Sequence, residues 1–235
     1  VWIFITIVIT KIAPVIIIPL FFKFEPLGDA ALKERLIKLA RSCGINILDV
    51  FKLKLSAKTK KANAALVGLG RTRRVLLGDT LLENYTKDEI EVVMAHELAH
   101  HKLLHIFKLI LFGGLGTIIV FYLVYLTSGM IANTIGLVSI SDIAGFPSVI
   151  FSISLFSVIL LPAQNAFSRR LEVSADLFAL KATGLPEAFI SCMNKLAGQN
   201  LSDPSPSRFI EFALYDHPPI SKRVKMAQDF LTVKK

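Results

Sequence analysis

Apolar positions along this chain fall into two regimes. In three stretches they run on almost without interruption, and elsewhere they recur with the period of a helix or alternate as in a strand. A helix needs roughly 20 apolar residues to cross a bilayer core. Val1 to Phe22, Ile106 to Thr127 and Pro147 to Phe167 each reach that length. The first is interrupted by Lys11, Pro14 and Pro19, and the second carries Lys108 as its only charge. Lys11 is expected to face other helices, to snorkel or to line a polar cavity. Pro14 should kink its helix, a defect that neighbouring helices can accommodate in lipid. A secretory signal peptide explains the first stretch poorly, because the apolar core is too long and no basic region precedes it.

The intervening segments read as soluble elements. Leu32, Leu36, Leu39, Ala40 and Cys43 follow a helical period, with Asp29 placed to cap the helix. Val50 to Ser56 alternates Phe51, Leu53 and Leu55 with Lys52 and Lys54, as a half-buried strand does. Ala64–Leu69 and Val75–Gly78 look like two further strands joined across the basic turn GRTRR, which predicts a small antiparallel sheet. Thr86-Lys87-Asp88-Glu89 is a T-x-x-E capping box. The helix it starts is expected to carry straight on through His105 towards the second apolar stretch. A separate helix is predicted from about Asn165 to Lys181, ending near Gly184. Others should open at Pro186 and after Pro218 and Pro219, and NLSDPSPS (200–207) is loop by composition.

This pattern predicts a mainly α integral membrane protein with about three membrane helices. Residues 1–22 form the first span and 23–105 a soluble part with a small sheet. Residues 106–167 form a membrane hairpin, and 168–235 a second soluble part. The chain begins at Val1 inside an apolar run with no initiator Met, so it reads as part of a longer protein.

Composition sharpens the picture. The chain is 53% hydrophobic and only 19% charged, against about 25% charged in an ordinary soluble domain. The net charge is +9. Lysine and arginine crowd the segment between Lys23 and Lys108 and the segment after Arg169, whereas Ser128 to Ser148 has none. The positive-inside rule then puts 23–105 and 169–235 on the cytoplasmic side, and the charge calls for no nucleic acid. Cys43 and Cys192 form neither a disulfide framework nor a metal-type pair.

One motif carries chemistry. His96-Glu97-Leu98-Ala99-His100 is H-E-x-x-H within the helix that the capping box begins. Residues four apart are rotated by about 40° on an α-helix, so His96 and His100 can share one metal ion. Glu97, beside that face, can take a proton from a water that zinc has acidified. Glu97-x-x-His100 also has the spacing of a di-iron carboxylate bundle, but no second E-x-x-H occurs in the chain. A catalytic zinc needs a third protein ligand. Glu172 and Asp176, four apart on a later helix, share a face; Glu172 could bind the metal while Asp176 holds a ligand histidine. The same pair could equally be surface carboxylates beside Arg169 and Arg170. His101 should face solvent or the membrane interface. His105, about half a turn round a straight helix from His96, should stay away from the metal and play a structural or interfacial part. His217, in DHPPISKR, reads as a loop histidine.

The segments RRVLLGDTLLENYTKDEIEVVMAHELAHHKLLH (73–105), SRRLEVSAD (168–176) and HPPISKRV (217–224) together resemble the membrane zinc endopeptidases that include the CAAX prenyl proteases. The resemblance implies a gluzincin-like core, with one Zn2+ on His96, His100 and Glu172 and with Glu97 as general base. It implies that Asp176 supports the ligands and that His217 and Arg223 stabilise the oxyanion. Asn63, in KKANAALVG, matches the position before the edge strand on which an extended substrate pairs, although Ala65 and Leu66 stand where the family has an aromatic. The family's prenyl proteases have seven membrane helices around a large chamber; only three are visible here.

The expected activity is therefore zinc endopeptidase action on a peptide or protein, prenylated or not, near the cytoplasmic face of a bacterial inner membrane or the endoplasmic reticulum. The alternatives are a heat-shock-type quality-control protease of similar catalytic order and a non-enzymatic membrane scaffold with a structural or vestigial zinc site. A site-2-type intramembrane protease fits less well: Lys87, Asp88, Glu89, Glu91 and Lys102 flank the motif, and no apolar stretch offers an aspartate ligand.

Overall fold

The computed structural model describes residues 24–56, 63–68, 73–137, 143–200 and 203–233. The first apolar stretch, with Lys11, Pro14 and Pro19, lies outside them. In chain order the elements are β1 (Phe24–Pro26), α1 (Ala30–Ser42), β2 (Asp49–Leu53), β3 (Ala64–Val67) and β4 (Arg74–Gly78). They continue with α2 (Asp79–Asn84), α3 (Lys87–Lys102), α4 (His105–Thr134), a 3-10 turn (Ile143–Gly145) and α5 (Phe146–Thr183). The last are α6 (Pro186–Asn200), α7 (Arg208–Leu214) and α8 (Ile220–Val233). Contacts divide the chain into two units. One comprises residues up to His105, Leu171–Pro206 and those from Pro218 onward; the other comprises Ile106–Arg170 and Ser207–His217.

The first unit is built as a protein interior. Asp29 Oδ1 accepts from the Leu32 N–H at 2.9 Å and starts α1. Both halves of the capping box form at α3: the Glu89 N–H donates to Thr86 Oγ1 at 3.3 Å, and the Thr86 N–H donates to Glu89 Oε2 at 2.7 Å. Glu89 is itself buried and receives Lys195 Nζ and Ser191 Oγ at 2.7 and 2.6 Å, which fastens the start of α3 to α6. Leu36, Val50, Leu77, Ile90, Met94, Leu98, Leu180 and Phe189 pack into one apolar core.

The sheet is mixed rather than antiparallel. Its order is β1-β2-β4-β3, and β2 pairs with β4 in parallel, from Asp49↔Arg74 to Leu53↔Gly78. Neighbours in sequence usually pair. Here β4 lies between β2 and β3, parallel to the first and antiparallel to the second. Asp79 secures this arrangement, accepting from the backbone N–H groups of Leu55 and Ser56 and from Ser56 Oγ. β3 is left at the sheet edge.

Two helix boundaries depart from the sequence expectation. α3 does not run through His105 but ends at Lys102. The Leu103 N–H caps it on Ala99 O at 2.8 Å, and Leu104 turns the chain with φ of 56°, a left-handed conformation that few leucines adopt. Nor is there a separate helix from Asn165: α5 is continuous from Phe146 to Thr183, with Pro162 inside it. No residue between the apolar part and the polar part breaks the helix, and an interior proline is tolerated where the freed carbonyl finds other partners.

The second unit obeys another rule. α4 and the segment Ile143–Thr183 are the two helices among the described residues that are long and apolar enough to cross a membrane. The rings of Phe112 and Phe167 stack at 4.3 Å with 13° between their planes. A Cβ on Gly116 would lie 3.1 Å from Gln164 Nε2, so a small residue lets these backbones approach. The short helix α7, which the sequence reading did not anticipate, is tied down by Asn165 Nδ2, which donates to Ala213 O at 2.8 Å. Arg169 Nη1 adds bonds to the carbonyls of Glu211 and Tyr215.

Candidate metal centre

The site lies wholly in the first unit, where the middle of α3 faces the polar end of α5. His96 and His100 project from one face of α3 as their spacing predicts, their Nε2 atoms 3.0 Å apart. Glu172, from α5, presents Oε2 at 3.3 Å from His96 Nε2 and Oε1 at 3.4 Å from His100 Nε2. One ligand atom from each of the three side chains lies within 4.8 Å of the others.

These separations suit a shared cation. Donor atoms around tetrahedral zinc, with bonds of about 2.0–2.1 Å, stand about 3.3 Å from one another. Two imidazole nitrogens and one carboxylate oxygen form the donor set of a zinc hydrolase with one position left open. Charge points the same way. Arg223 donates from Nε to Asp176 Oδ2 at 2.7 Å and from Nη2 to Asp176 Oδ1 at 2.6 Å, neutralising that carboxylate. Glu172 then faces the two imidazoles at 6% exposure, and a buried carboxylate calls for positive charge beside it.

Around this trio each histidine is held from behind. His96 Nδ1 lies 2.9 Å from Asp176 Oδ1, and Asp176 is fully buried. Burial works against charge on His96, but the hydrogen bonds to Asp176 and Glu172 outweigh it and raise its pKa to about 9. Burial likewise pushes Asp176 up, yet His96 and Arg223 hold it below the ordinary carboxylate range. His100 Nδ1 lies 3.1 Å from Nδ1 of His105, which is buried. The break at Leu103–Leu104 explains this contact, since it swings His105 back from the position a straight helix would assign. Nothing in local sequence marked it: neither Gly nor Asn stands at 104. His101 is not simply turned to solvent either; its Nε2 lies 3.0 Å from the Leu66 carbonyl and ties β3 to α3.

The remaining predicted residues fall as follows. Glu97 sits on α3 between the two histidines, half-buried. Arg223 spends its Nε and Nη2 on Asp176. Asn63 is exposed at the head of β3, and its carbonyl accepts from the Gly78 N–H at 2.8 Å. By the alternation of an antiparallel ladder, Ala65 and Val67 then pair towards β4, and the backbone groups of Ala64 and Leu66 point to the outer edge. His217 belongs to the second unit, is exposed, and has Nδ1 2.9 Å from Asp216 Oδ1. Ser174, a further polar contact of His105, carried no signal in the sequence.

A model of peptidase family M48 matches residues 26–230. The chain is 31% identical over 228 residues to the CAAX prenyl protease 1 homolog of Arabidopsis thaliana, covering 94% of this chain and 52% of that protein. It is 30% identical over 243 residues to CAAX prenyl protease 1 of Saccharomyces cerevisiae, covering 95% and 53%. The crystal structure of S. mikatae Ste24p superposes with a TM-score of 0.77 at 29% identity, over 95% of this chain and 56% of that one. The chain thus spans about half the length of the curated relatives it matches.

Proposed function

This chain belongs to peptidase family M48, and from that premise we propose that it carries the metal site of a membrane zinc endopeptidase similar to the CAAX prenyl proteases. The observation that supports this most is the convergence of His96, His100 and Glu172, from two helices far apart in sequence, within 4.8 Å. Those three side chains would hold the ion. Zinc, when bound, supplies Lewis-acid polarisation of oxygen. Glu97 accepts a proton from the attacking water and passes it to the departing amine. Asp176 fixes the His96 ring through Nδ1–H, and the paired bonds from Arg223 fix Asp176 in turn. Arg223 thereby acts on the site through a carboxylate as well as through its charge. The resemblance to the prenyl proteases assigns His217 the part of an oxyanion donor. An extended substrate pairs with the outer edge of β3 next to Asn63, where Ala64 offers its backbone groups.

The helices α4 and α5 anchor these parts to a bilayer, and lysine and arginine placement puts the reaction near the cytoplasmic face. The substrate is a peptide bond in a membrane-tethered protein, such as a prenylated C-terminus.

Full-length protein reconstituted in lipid should cleave a farnesylated peptide in a chelator-sensitive manner. Glu97→Gln should retain stoichiometric zinc while kcat falls by about 10²–10⁴, the share that general-base catalysis supplies. Undiminished cleavage by that variant would refute the mechanism. Equal cleavage of prenylated and unprenylated versions of the peptide would shift the substrate from prenylated termini to membrane proteins in general, as in the heat-shock-type branch.

A further inference from the structure

We propose that His105 is the positioning residue for His100: it sets which ring nitrogen of His100 carries the proton, and so presents Nε2 as a bare donor atom. The inference builds on the metal-site reading above, but it concerns the arrangement of hydrogens in the metal-free protein.

Four groups stand in a row. His100 Nδ1 is 3.1 Å from His105 Nδ1, and His105 Nε2 is 3.1 Å from Ser174 Oγ. Ser174 Oγ is 2.7 Å from the Leu171 carbonyl oxygen. A carbonyl only accepts, a hydroxyl has one hydrogen, and a neutral imidazole has one N–H. Working back from the carbonyl, the Ser174 hydroxyl donates to Leu171, so its oxygen accepts from His105 Nε2–H. His105 Nδ1 is then bare and accepts from His100 Nδ1–H. His100 Nε2 keeps its lone pair on the side that faces His96 Nε2 at 3.0 Å and Glu172 Oε1 at 3.4 Å. The opposite polarity would leave the Ser174 and Leu171 oxygens 2.7 Å apart with no hydrogen between them. A backbone carbonyl on α5 therefore dictates the tautomer of a ligand on α3.

His105 is 1% exposed, so water does not compete for its nitrogens. Its placement depends on Leu104, whose φ of 56° is a left-handed conformation that few leucines adopt. The two ligand histidines are thus oriented by different chemistry. His96 leans on a carboxylate that Arg223 neutralises. A carboxylate behind His100 would be a third buried negative charge beside Glu172 and Asp176, and a neutral ring orients His100 without adding one.

The test begins with the metal-free full chain, labelled with 15N in its histidine rings and read by long-range 1H–15N correlation. His100 should be protonated at Nδ1 and His105 at Nε2; protonation of His100 at Nε2 with His105 at Nδ1 would overturn the proposal. In chelator competition, His105→Leu should weaken zinc binding about 10–100-fold, the usual cost of losing a partner behind a ligand. His105→Asn, whose amide oxygen can stand where Nδ1 accepts, should lose less than about tenfold. Equal losses for Leu and Asn, or none for Leu, would sink the positioning role. Failure of the metal-site reading is separate: unchanged zinc affinity in Glu172→Gln removes that reading and leaves the ring-proton result standing.

Discussion

Helices α3 and α4 follow one another with only Leu103 and Leu104 between them, yet their apolar residues differ sharply in burial. On α3, Ile90, Met94 and Leu98 are sealed in a core shared with α1, the sheet and α6. On α4, Phe107, Leu111, Leu115, Ile118 and Tyr125 lie exposed. Leu98 is 0% exposed and Ile118 60%, though the two side chains have almost the same volume and apolarity. A run of exposed apolar residues on a long helix is the mark of a surface that meets lipid rather than water. α3 instead draws its rigidity from close packing, which a helix holding two candidate ligands needs if their nitrogens are to stay in register.

The contrast can be broken most sharply by truncation. Leu98→Ala should cost 2–5 kcal/mol by opening a cavity in the core, whereas Ile118→Ala should cost well under about 1 kcal/mol in a lipid-facing position. Denaturation of each variant in the same detergent would measure both, and similar losses would dissolve the distinction. A charge probes it from the other side. Ile118→Arg, near the middle of α4, should oppose membrane insertion by about 2.5–3.5 kcal/mol, read as a fall in the membrane-integrated fraction.

Acid sharpens the comparison through the first unit alone. Asp79 is buried, which by itself would raise its pKa, but the Ser56 hydroxyl and the N–H groups of Leu55, Ser56 and Thr80 bring it down to about 2. A carboxylate with a depressed folded pKa adds stability that is fully present above its unfolded value near 3.8 and is lost as pH falls through about 2. The difference corresponds to about 2 kcal/mol. Wild-type protein should therefore lose about that much between pH 5 and pH 2 relative to Asp79→Asn, as followed by chemical denaturation. The smallest expected effect is at the α3 cap, where Thr86→Ala should cost about 1 kcal/mol. Helix α4 should be indifferent to it, as hydrogen exchange in the two helices would report.

Much of this was legible beforehand, and the reasons differ by element. The Asp29 cap, the Thr86–Glu89 box and the helices opening at Pro186 and after Pro219 were readable because each is governed by residues within one turn. The second and third apolar stretches were readable because length and composition suffice. The mixed sheet was not, since strand order depends on where a crossover lands. The end of α3 at Lys102 was not, because a leucine at 104 gives no warning of a left-handed turn. The continuity of α5 was missed because a change from apolar to polar residues looks like a boundary, although helical hydrogen bonding is indifferent to it.

By itself the sequence determined that His96 and His100 share a helix face, that Glu97 stands beside them, and that two long helices are apolar enough to cross a membrane. These follow from a period of 3.6 residues and from the cost of hydrating apolar surface. Only the tertiary structure decided that Glu172 meets both imidazoles, that Asp176 is clamped by Arg223, and that the row from Leu171 through Ser174 and His105 ends on His100. Those contacts join positions remote along the chain. Spacing rules reach only as far as one helix, and the packing of α3 against α5 sets every distance beyond it.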